Sequence, residues 1–568
     1  MLLKQHAPLL ESTIKRAIAP SLAPSSRIRR RRYASTAAYP ENIAVLGGGI
    51  SGLASAYFVS KEFPNSKITV YEAGKEVGGW IKSKRVHVPG GNVLFEYGPR
   101  TLRPGAGAMP TAQMIQDLGL TDNVLYAKKN SPGAKNRYVY YPDRLNRMPG
   151  GEAPSFTQVL ELWQSGILAG LPRALLEPWQ PQRSSRKMDE SIGSFISRRS
   201  DKRIVQNLVS AVFHGIYAGD VWQLSAKTLL SQAWELEGRY GSIWKGLYQV
   251  NTENAASQQL ILFHPQDLEV VAAIREDIDL DDKFFEQLHQ CAVFSFRNGL
   301  QELVNGLQRN LEENENVEIK FETPVGPPKM VESGQQVDIV PQEDPSSSRT
   351  YDLVISSLRT PNITDSVTVM TVNLFYPKPN LTPVKGFGYL IPQSIPFEQN
   401  PERALGVIFD SDAITGQDTA SGTKLTVMLG GHWWNSWEHY PTNEEGLELA
   451  QSVIRRHLGI TDEPVAHHVG LWKDCIPQYT VGYEYRLKEY AEHVRDEFRG
   501  RLRVVGNQYH GVGVNDCIKA AWMVARGLRG DGWRGRGTGL ERVLDEREWV
   551  AAPVTQALRK KDFAKVVY

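Results

Sequence analysis

A short apolar run, Asn42-Ile43-Ala44-Val45-Leu46, is followed at once by Gly47-Gly48-Gly49-Ile50-Ser51-Gly52 and then by Leu53-Ala54-Ser55-Ala56-Tyr57-Phe58-Val59 at helical spacing. Strand, glycine turn and helix in that order predict the opening of a Rossmann-type βαβ unit, the strongest single constraint on the fold. Gly47 permits a tight turn, Gly49 lets backbone approach a pyrophosphate, and Gly52 lets helix and strand pack closely. The helix beginning at Ile50 and Ser51 offers orphan N–H donors to an anion. A second strand, Lys67-Ile68-Thr69-Val70-Tyr71-Glu72, ends in an acid twenty residues past Gly52, where a ribose-binding carboxylate belongs.

The 568 residues exceed what one compact core holds and suggest two to four lobes. Hydrophobic residues at 41% and charged residues at 23% are the balance of a soluble globular protein. Cys291, Cys475 and Cys517 are too few and too scattered for a disulfide framework or a CxxC site, so no metal is expected. Residues 1–33 carry eight Lys/Arg, including Arg29 to Arg32, against one acid, Glu11. Removing these from the chain totals of 65 basic and 63 acidic residues leaves 57 and 62, which argues against nucleic-acid binding by the folded part. A nuclear signal or an RNA patch is one reading of the basic block. The acid-poor, Ser/Ala-rich context ending in Arg31-Arg32-Tyr33-Ala34 resembles a mitochondrial presequence, the preferred reading.

Ala73-Gly74-Lys75-Glu76-Val77-Gly78-Gly79-Trp80 places a Gly-Gly doublet just after the acidic strand end, and Phe95-Glu96-Tyr97-Gly98-Pro99-Arg100 follows. The doublet resembles the second fingerprint of the flavin amine oxidase superfamily, which makes FAD the favoured dinucleotide. Near the other end, Arg503-Val504-Val505-Gly506 reads as a buried strand, Asn507 to Asp516 as a glycine-bearing loop, and Asn515 to Leu528 as a helix aimed at the cofactor. Many members of the superfamily carry an acid where this chain has Asn507. Phe294 to Leu307, Val317-Glu318-Ile319 and Thr323-Pro324-Val325 look like the helix and strands that return to the flavin domain, so its sheet is expected to draw on three separated segments.

Over residues 42 to about 530 the chain resembles the protoporphyrinogen oxidases, in their mitochondrial, fungal form. The motifs are Val45 to Leu53, Gly78-Gly79-Trp80-Ile81, Asn136-Arg137-Tyr138, Gly215-Ile216-Tyr217-Ala218-Gly219-Asp220, Gly386-Phe387-Gly388-Tyr389-Leu390, Val427-Met428-Leu429-Gly430-Gly431, Cys475-Ile476-Pro477-Gln478-Tyr479 and Gly511 to Cys517. The resemblance implies an α/β and α+β architecture. A Rossmann-like FAD-binding domain would be assembled from 40–130, 292–365 and 498–545, a helical membrane-binding lobe from 135–235, and a mixed-sheet substrate domain from 236–291 and 366–497. It implies one non-covalent FAD held by Gly47, Gly48, Gly49, Ile50, Ser51, Gly52, Glu72, Ala73, Gly79, Trp80, Gly98, Pro99, Arg100, Thr101, Val325, Asn507, Val512, Gly513 and Val514. It also implies protoporphyrinogen IX as substrate, molecular oxygen as acceptor, hydrogen peroxide as by-product and a role in haem synthesis. Monotopic attachment to the mitochondrial inner membrane on the intermembrane-space side, a ferrochelatase partner and a homodimer complete the expectation.

Protoporphyrinogen is a greasy macrocycle with two propionates, so its pocket needs apolar walls and a cation at one edge. Arg137 matches the family position that holds a propionate, a task suited to a planar, permanently charged guanidinium; a surface arginine between two turns is the plain alternative. Phe387, Leu390, Ile408 and Met428 match positions that sandwich the ring, and each reads equally as strand core. Gly215 matches a position whose backbone faces the reacting edge, and Arg100 one whose backbone lies near flavin. No side chain announces itself as a general base, and His214 reads as structural. Phe156 to Trp179 is apolar at helical spacing but interrupted by Glu161, Gln164, Pro172 and Arg173, which suits a surface lying on a membrane or packed on its own domain, not a span. Another flavin amine oxidase, a carotenoid desaturase or a flavin-less binding protein resembling the GDP-dissociation inhibitors are the competing readings.

Overall fold

The computed structural model describes residues 38–150, 154–252, 259–435 and 437–553, so the presequence expected over 1–33 lies outside the described residues. Five parallel strands form the nucleotide sheet in the order Val317–Lys320, Lys67–Tyr71, Asn42–Leu46, Leu353–Ser356 and Leu502–Val504. Every internal pairing is parallel, with Ile43 opposite both Leu353 and Ile68. Ile43, Ala44, Val45 and Leu46 are fully buried because layers cover both faces of the sheet, which is why the strand reads as an unbroken apolar run. The helix Ile50–Glu62 lies on one face and packs against Val514–Gly527, so the first and last parts of the described chain share one core. The sheet is thus assembled from separated segments, as expected. Thr323 and Pro324 form no strand, and Val325 makes only an isolated bridge to Pro341.

A second sheet has seven strands in the order Ala466–Pro477, Ser366–Tyr376, Thr423–Gly430, Ala404–Ile408, Gly388–Leu390, Arg137–Tyr140 and Leu145–Met148. All pairings are antiparallel except that of Gly388–Leu390 with Arg137–Tyr140. The 135–235 segment therefore supplies two strands to this sheet as well as helices. The polar stretch around 251–290 contributes helices Pro265–Asp277 and Asp282–Gln290, whose Ile274, Phe284 and Leu288 join the core of the nucleotide half. Asp344 to Ser348 is an exposed loop between the antiparallel strands Val337–Ile339 and Arg349–Tyr351.

The helical lobe is built from short pieces. Phe156 to Trp179 folds as the helices Phe156–Gln164 and Leu171–Ala174 and a 3₁₀ turn Glu177–Trp179, broken where Gly166 and Gly170 adopt φ of +80° and +93°. Its interior is pinned by charge: Glu237, fully buried, accepts from Arg183 at 2.6 Å and Arg198 at 2.7 Å, and Glu177 accepts from Arg199 and Ser242. No helix of the described residues is long and apolar enough to cross a membrane.

Candidate active site

The glycine turn is shaped by contacts that exclude side chains. Gly47 has φ +95°, and a Cβ on Gly52 would lie 1.8 Å from the Gly47 carbonyl oxygen. Gly49 has space, its nearest neighbour to an added Cβ being Gly79 Cα at 3.9 Å; the space is backbone-lined, as a diphosphate needs. Gly49 bridges Gly78, and the Gly78 N–H donates to Gly48 O at 2.8 Å, so the doublet after the second strand folds back onto the turn. Gly49 caps the helix without a side-chain acceptor, leaving the first-turn N–H groups of Ile50, Ser51 and Gly52 free of intrahelical partners. Glu72 stands beside them, accepting from Gly48 N at 2.8 Å and Gly74 N at 2.6 Å. Its carboxylate is thereby fixed next to Ala73, with lone pairs to spare for ribose hydroxyls. These residues fit an ADP-containing dinucleotide. Ser357 completes the turn by donating its hydroxyl to Leu46 O at 2.8 Å; no motif pointed to it, because it follows a strand more than three hundred residues away.

The next segment links the two sheets. A Cβ on Gly98 would sit 2.0 Å from Trp80 O, and Trp80, 43% exposed, stands edge-on to Trp472 with ring centroids 6.0 Å apart. Tyr97 O accepts from Thr371 Oγ1 at 2.7 Å and from Trp472 Nε1 at 2.9 Å. The Arg100 guanidinium, between Pro99 and Thr101, is committed to Asp410 at 2.5 Å, so it holds protein, not substrate. Glu96 is buried beneath this junction, and desolvation raises its carboxyl to about 7. On the far side the Asn507 carboxamide donates to Cys475 O at 3.1 Å, while the Asn507 backbone carbonyl accepts from the Tyr479 hydroxyl. Val512 packs in the adjoining core, and Gly513 caps the Val514–Gly527 helix with no side-chain partner, presenting a second open helix N-terminus. Val325 follows Thr323, whose N–H donates to Glu72 O at 2.9 Å.

The seven-stranded sheet brings Leu390, Ile408 and Met428 together by register, whereas Phe387 lies just before the strand Gly388–Leu390. Leu390 pairs with Gly406, Gly406 with Met428 and Met428 with Thr371; in the next row Ile408 pairs with Thr426 and Thr426 with Asn373. By the two-residue alternation of strands, all of these share one face. Thr371, Asn373 and Thr426 meet the 96–100 loop and Asp410 through hydrogen bonds of 2.6–3.0 Å, whereas Leu390, Ile408 and Met428 remain half-buried beyond it. The helix Ser210–Tyr217 faces them: Val212, Gly215 and Ile216 are exposed on one side, and a Cβ on Gly215 would reach 2.9 Å from Leu390. Arg137 stacks over Phe387 at 5.8 Å and makes no ion pair among the described residues. Arg137 is solvent-exposed, and partial desolvation together with the nearby charge of Arg103 lowers its pKa. Arg103, an exposed cation that the motifs passed over, is held through its carbonyl by Asn515 at 3.0 Å.

A dinucleotide cradle wired to an apolar sheet face by one loop defines a flavin-dependent oxidoreductase. The family model for flavin containing amine oxidoreductase matches residues 50–529. The chain is 33% identical over 507 residues to the protoporphyrinogen oxidase of Schizosaccharomyces pombe and 30% identical over 516 residues to that of Homo sapiens, covering 86% of this chain and 98% of the relative in each case. A crystal structure from Exiguobacterium sp. 255-15, described as a candidate protoporphyrinogen oxidase, shares the fold with a TM-score of 0.63 and 20% identity, covering 86% of this chain and 98% of its own. The chain belongs to the flavin containing amine oxidoreductase family and, within it, to the protoporphyrinogen oxidases.

Proposed function

We propose that the chain catalyses the oxygen-dependent, FAD-mediated oxidation of protoporphyrinogen IX to protoporphyrin IX in haem synthesis, releasing hydrogen peroxide. The observation that carries this reading is the shared face of Leu390, Ile408 and Met428, opposed by Gly215 and flanked by Arg137, which has no ion-pair partner among the described residues. FAD, one per chain and non-covalent, supplies the two-electron acceptor when bound to the Gly47–Gly52 turn, Glu72, Gly79 and the Val514 helix. The apolar walls hold a flat macrocycle and exclude water from it, Arg137 meets a propionate, and the missing side chain at Gly215 lets the ring edge approach backbone. With no evident base among the wall residues, these groups act by positioning. Six electrons leave the substrate in three rounds, each converting one oxygen molecule to one hydrogen peroxide.

Phe156, Leu160, Trp163, Leu175, Trp179 and Trp244, between 43% and 81% exposed, give the helical lobe an apolar surface suited to lying on a membrane. With the basic residues 1–33 as presequence, this supports attachment to the outer face of the mitochondrial inner membrane. There a ferrochelatase would receive the insoluble porphyrin, and a homodimer is part of the same reading. The purified holoprotein is expected to turn anaerobically prepared protoporphyrinogen fluorescent on admission of oxygen, with three peroxides per porphyrin. Turnover of amines or carotenes but not of the porphyrinogen would overturn the proposal.

A further inference from the structure

Behind the substrate wall lies a pair of imidazoles that the family motifs do not mention. His214, almost wholly buried on the inner side of the helix that presents Gly215, places Nδ1 2.6 Å from Ile391 O and Nε2 2.8 Å from Nε2 of His432. The carbonyl of Ile391 can only accept, so Nδ1 of His214 carries the hydrogen and donates it. Its Nε2 is then a lone pair, and His432 must be the donor between the two rings.

Each partner adjoins a wall residue. His214 precedes Gly215, Ile391 follows Leu390, and His432 lies four residues beyond Met428, just after the Gly430-Gly431 turn. That turn runs against the end of the helix: the His432 N–H donates to Ala218 O at 2.8 Å, and a Cβ on Gly431 would lie 2.3 Å from the same oxygen. Gln393 anchors the loop after Leu390 to the same helix, its backbone N–H donating to Ser210 Oγ at 3.0 Å and its amide to Asp220 at 3.0 Å, with His432 Nε2 3.2 Å away. Helix, loop and strand end therefore meet at one ring-to-ring hydrogen bond.

We propose that His214 and His432 are positioning residues for the macrocycle, their mutual hydrogen bond fixing how the helix that carries Gly215 seats against Leu390 and Met428 of the sheet, since Gly215 and Leu390 are in contact. The inference rests on the porphyrinogen reading of that face. Helix and sheet each supply part of the proposed ring-binding face, and a shift of under an ångström between them forfeits dispersion contacts and misplaces the ring. The pair reaches the substrate only through Gly215, Leu390 and Met428, so it acts on geometry and not on the proton inventory of the reaction.

The test uses the full-length, flavin-loaded enzyme as wild type and as His432→Ala, His432→Phe and His432→Gln. The Phe variant fills the ring's volume without a donor; the Gln variant restores an N–H toward His214. Flavin content, KM and kcat for protoporphyrinogen, and the affinity for protoporphyrin by fluorescence quenching are measured in parallel. We expect Ala and Phe to retain flavin but to raise KM and the porphyrin dissociation constant about tenfold, the equivalent of one good hydrogen bond. Gln should return both to within about threefold of wild type. Should Ala fail to fold, the contrast between Phe and Gln decides. Wild-type KM and porphyrin affinity in the Phe variant, or a loss confined to kcat, would overturn the inference. A wild-type enzyme inert toward protoporphyrinogen would instead refute the function, which separates the two failures.

Discussion

Arg100 Nη1 and Asp410 Oδ1 stand 2.5 Å apart, both nearly excluded from solvent, and form an ion pair between the 96–100 loop and the helix Asp410–Ala413 that follows a strand of the seven-stranded sheet. Thr426 donates to the other Asp410 oxygen at 2.6 Å, so the carboxylate is held from both sides. Removing one partner of such a pair leaves an uncompensated buried charge. Asp410→Ala is accordingly expected to destabilise the chain by about 3–5 kcal/mol and to loosen flavin retention. Denaturant unfolding together with flavin absorbance after gel filtration checks this; an unaltered midpoint would contradict it.

Two glycines of the turn should fail differently. Gly52→Ala puts a methyl 1.8 Å from the Gly47 carbonyl, which backbone cannot yield to, and a colourless, poorly folded product is expected. Gly49→Ala meets nothing closer than 3.9 Å, so the fold should survive while the methyl intrudes on the diphosphate. The expected result is near-native circular dichroism with FAD affinity reduced at least about tenfold. Equal flavin content in Gly49→Ala and wild type would remove this turn from the cofactor site.

Arg137 has no carboxylate partner among the described residues, and Arg103 adds like charge nearby. Arg137→Ala should raise KM for protoporphyrinogen about tenfold to a hundredfold, the worth of a charge-assisted hydrogen bond, and leave flavin content intact. Arg137→Lys should recover only part of the loss, since a point charge does not reproduce the planar fork. Steady-state kinetics beside flavin quantification give the answer, and an unchanged KM in the alanine variant would exclude the residue from substrate binding.

Acid should unfold the enzyme partly through its buried imidazoles. Desolvation, then the His432 charge, push His214 down to about 3, and desolvation with the Arg403 charge pushes His432 to about 4, with Asp220 opposing the shift at His214. A ring held neutral in the folded chain but protonated near its ordinary 6.5 when unfolded adds stability fully present above that pH and lost as pH falls toward the depressed value. At about pH 5 this amounts to about 2 kcal/mol for His214 alone. Urea midpoints at pH 7 and pH 5 should diverge less in His214→Gln than in wild type; identical divergence would count against the assignment.

Much of the nucleotide half was legible in the chain because its signals are local. Gly47 to Gly52, Glu72 and Gly78-Gly79 each sit within a few residues of the turn they shape, and a buried parallel strand announces itself as an apolar run. Leu390, Ile408 and Met428 came from resemblance instead, since each reads equally well as strand core. Ser357, Asp410 and His432 gave no signal, as each acts on a partner distant in sequence through a single hydrogen bond or ion pair. Phe156 to Trp179 was legible as apolar but not as broken, since the break depends on positive φ at Gly166 and Gly170.

The order of residues alone decided that a strand, a tight glycine turn and a helix open the fold and that apolar strands would flank them, because glycine stereochemistry and two-residue alternation act over neighbouring positions. Which side chains share a face of the seven-stranded sheet, and which charges pair at its edge, was settled only on folding. Strand register puts Met428 and Leu390 on either side of Gly406, and the ring contact of His214 with His432 spans more than two hundred residues. Such relations arise from packing of distant segments, and no local preference encodes them.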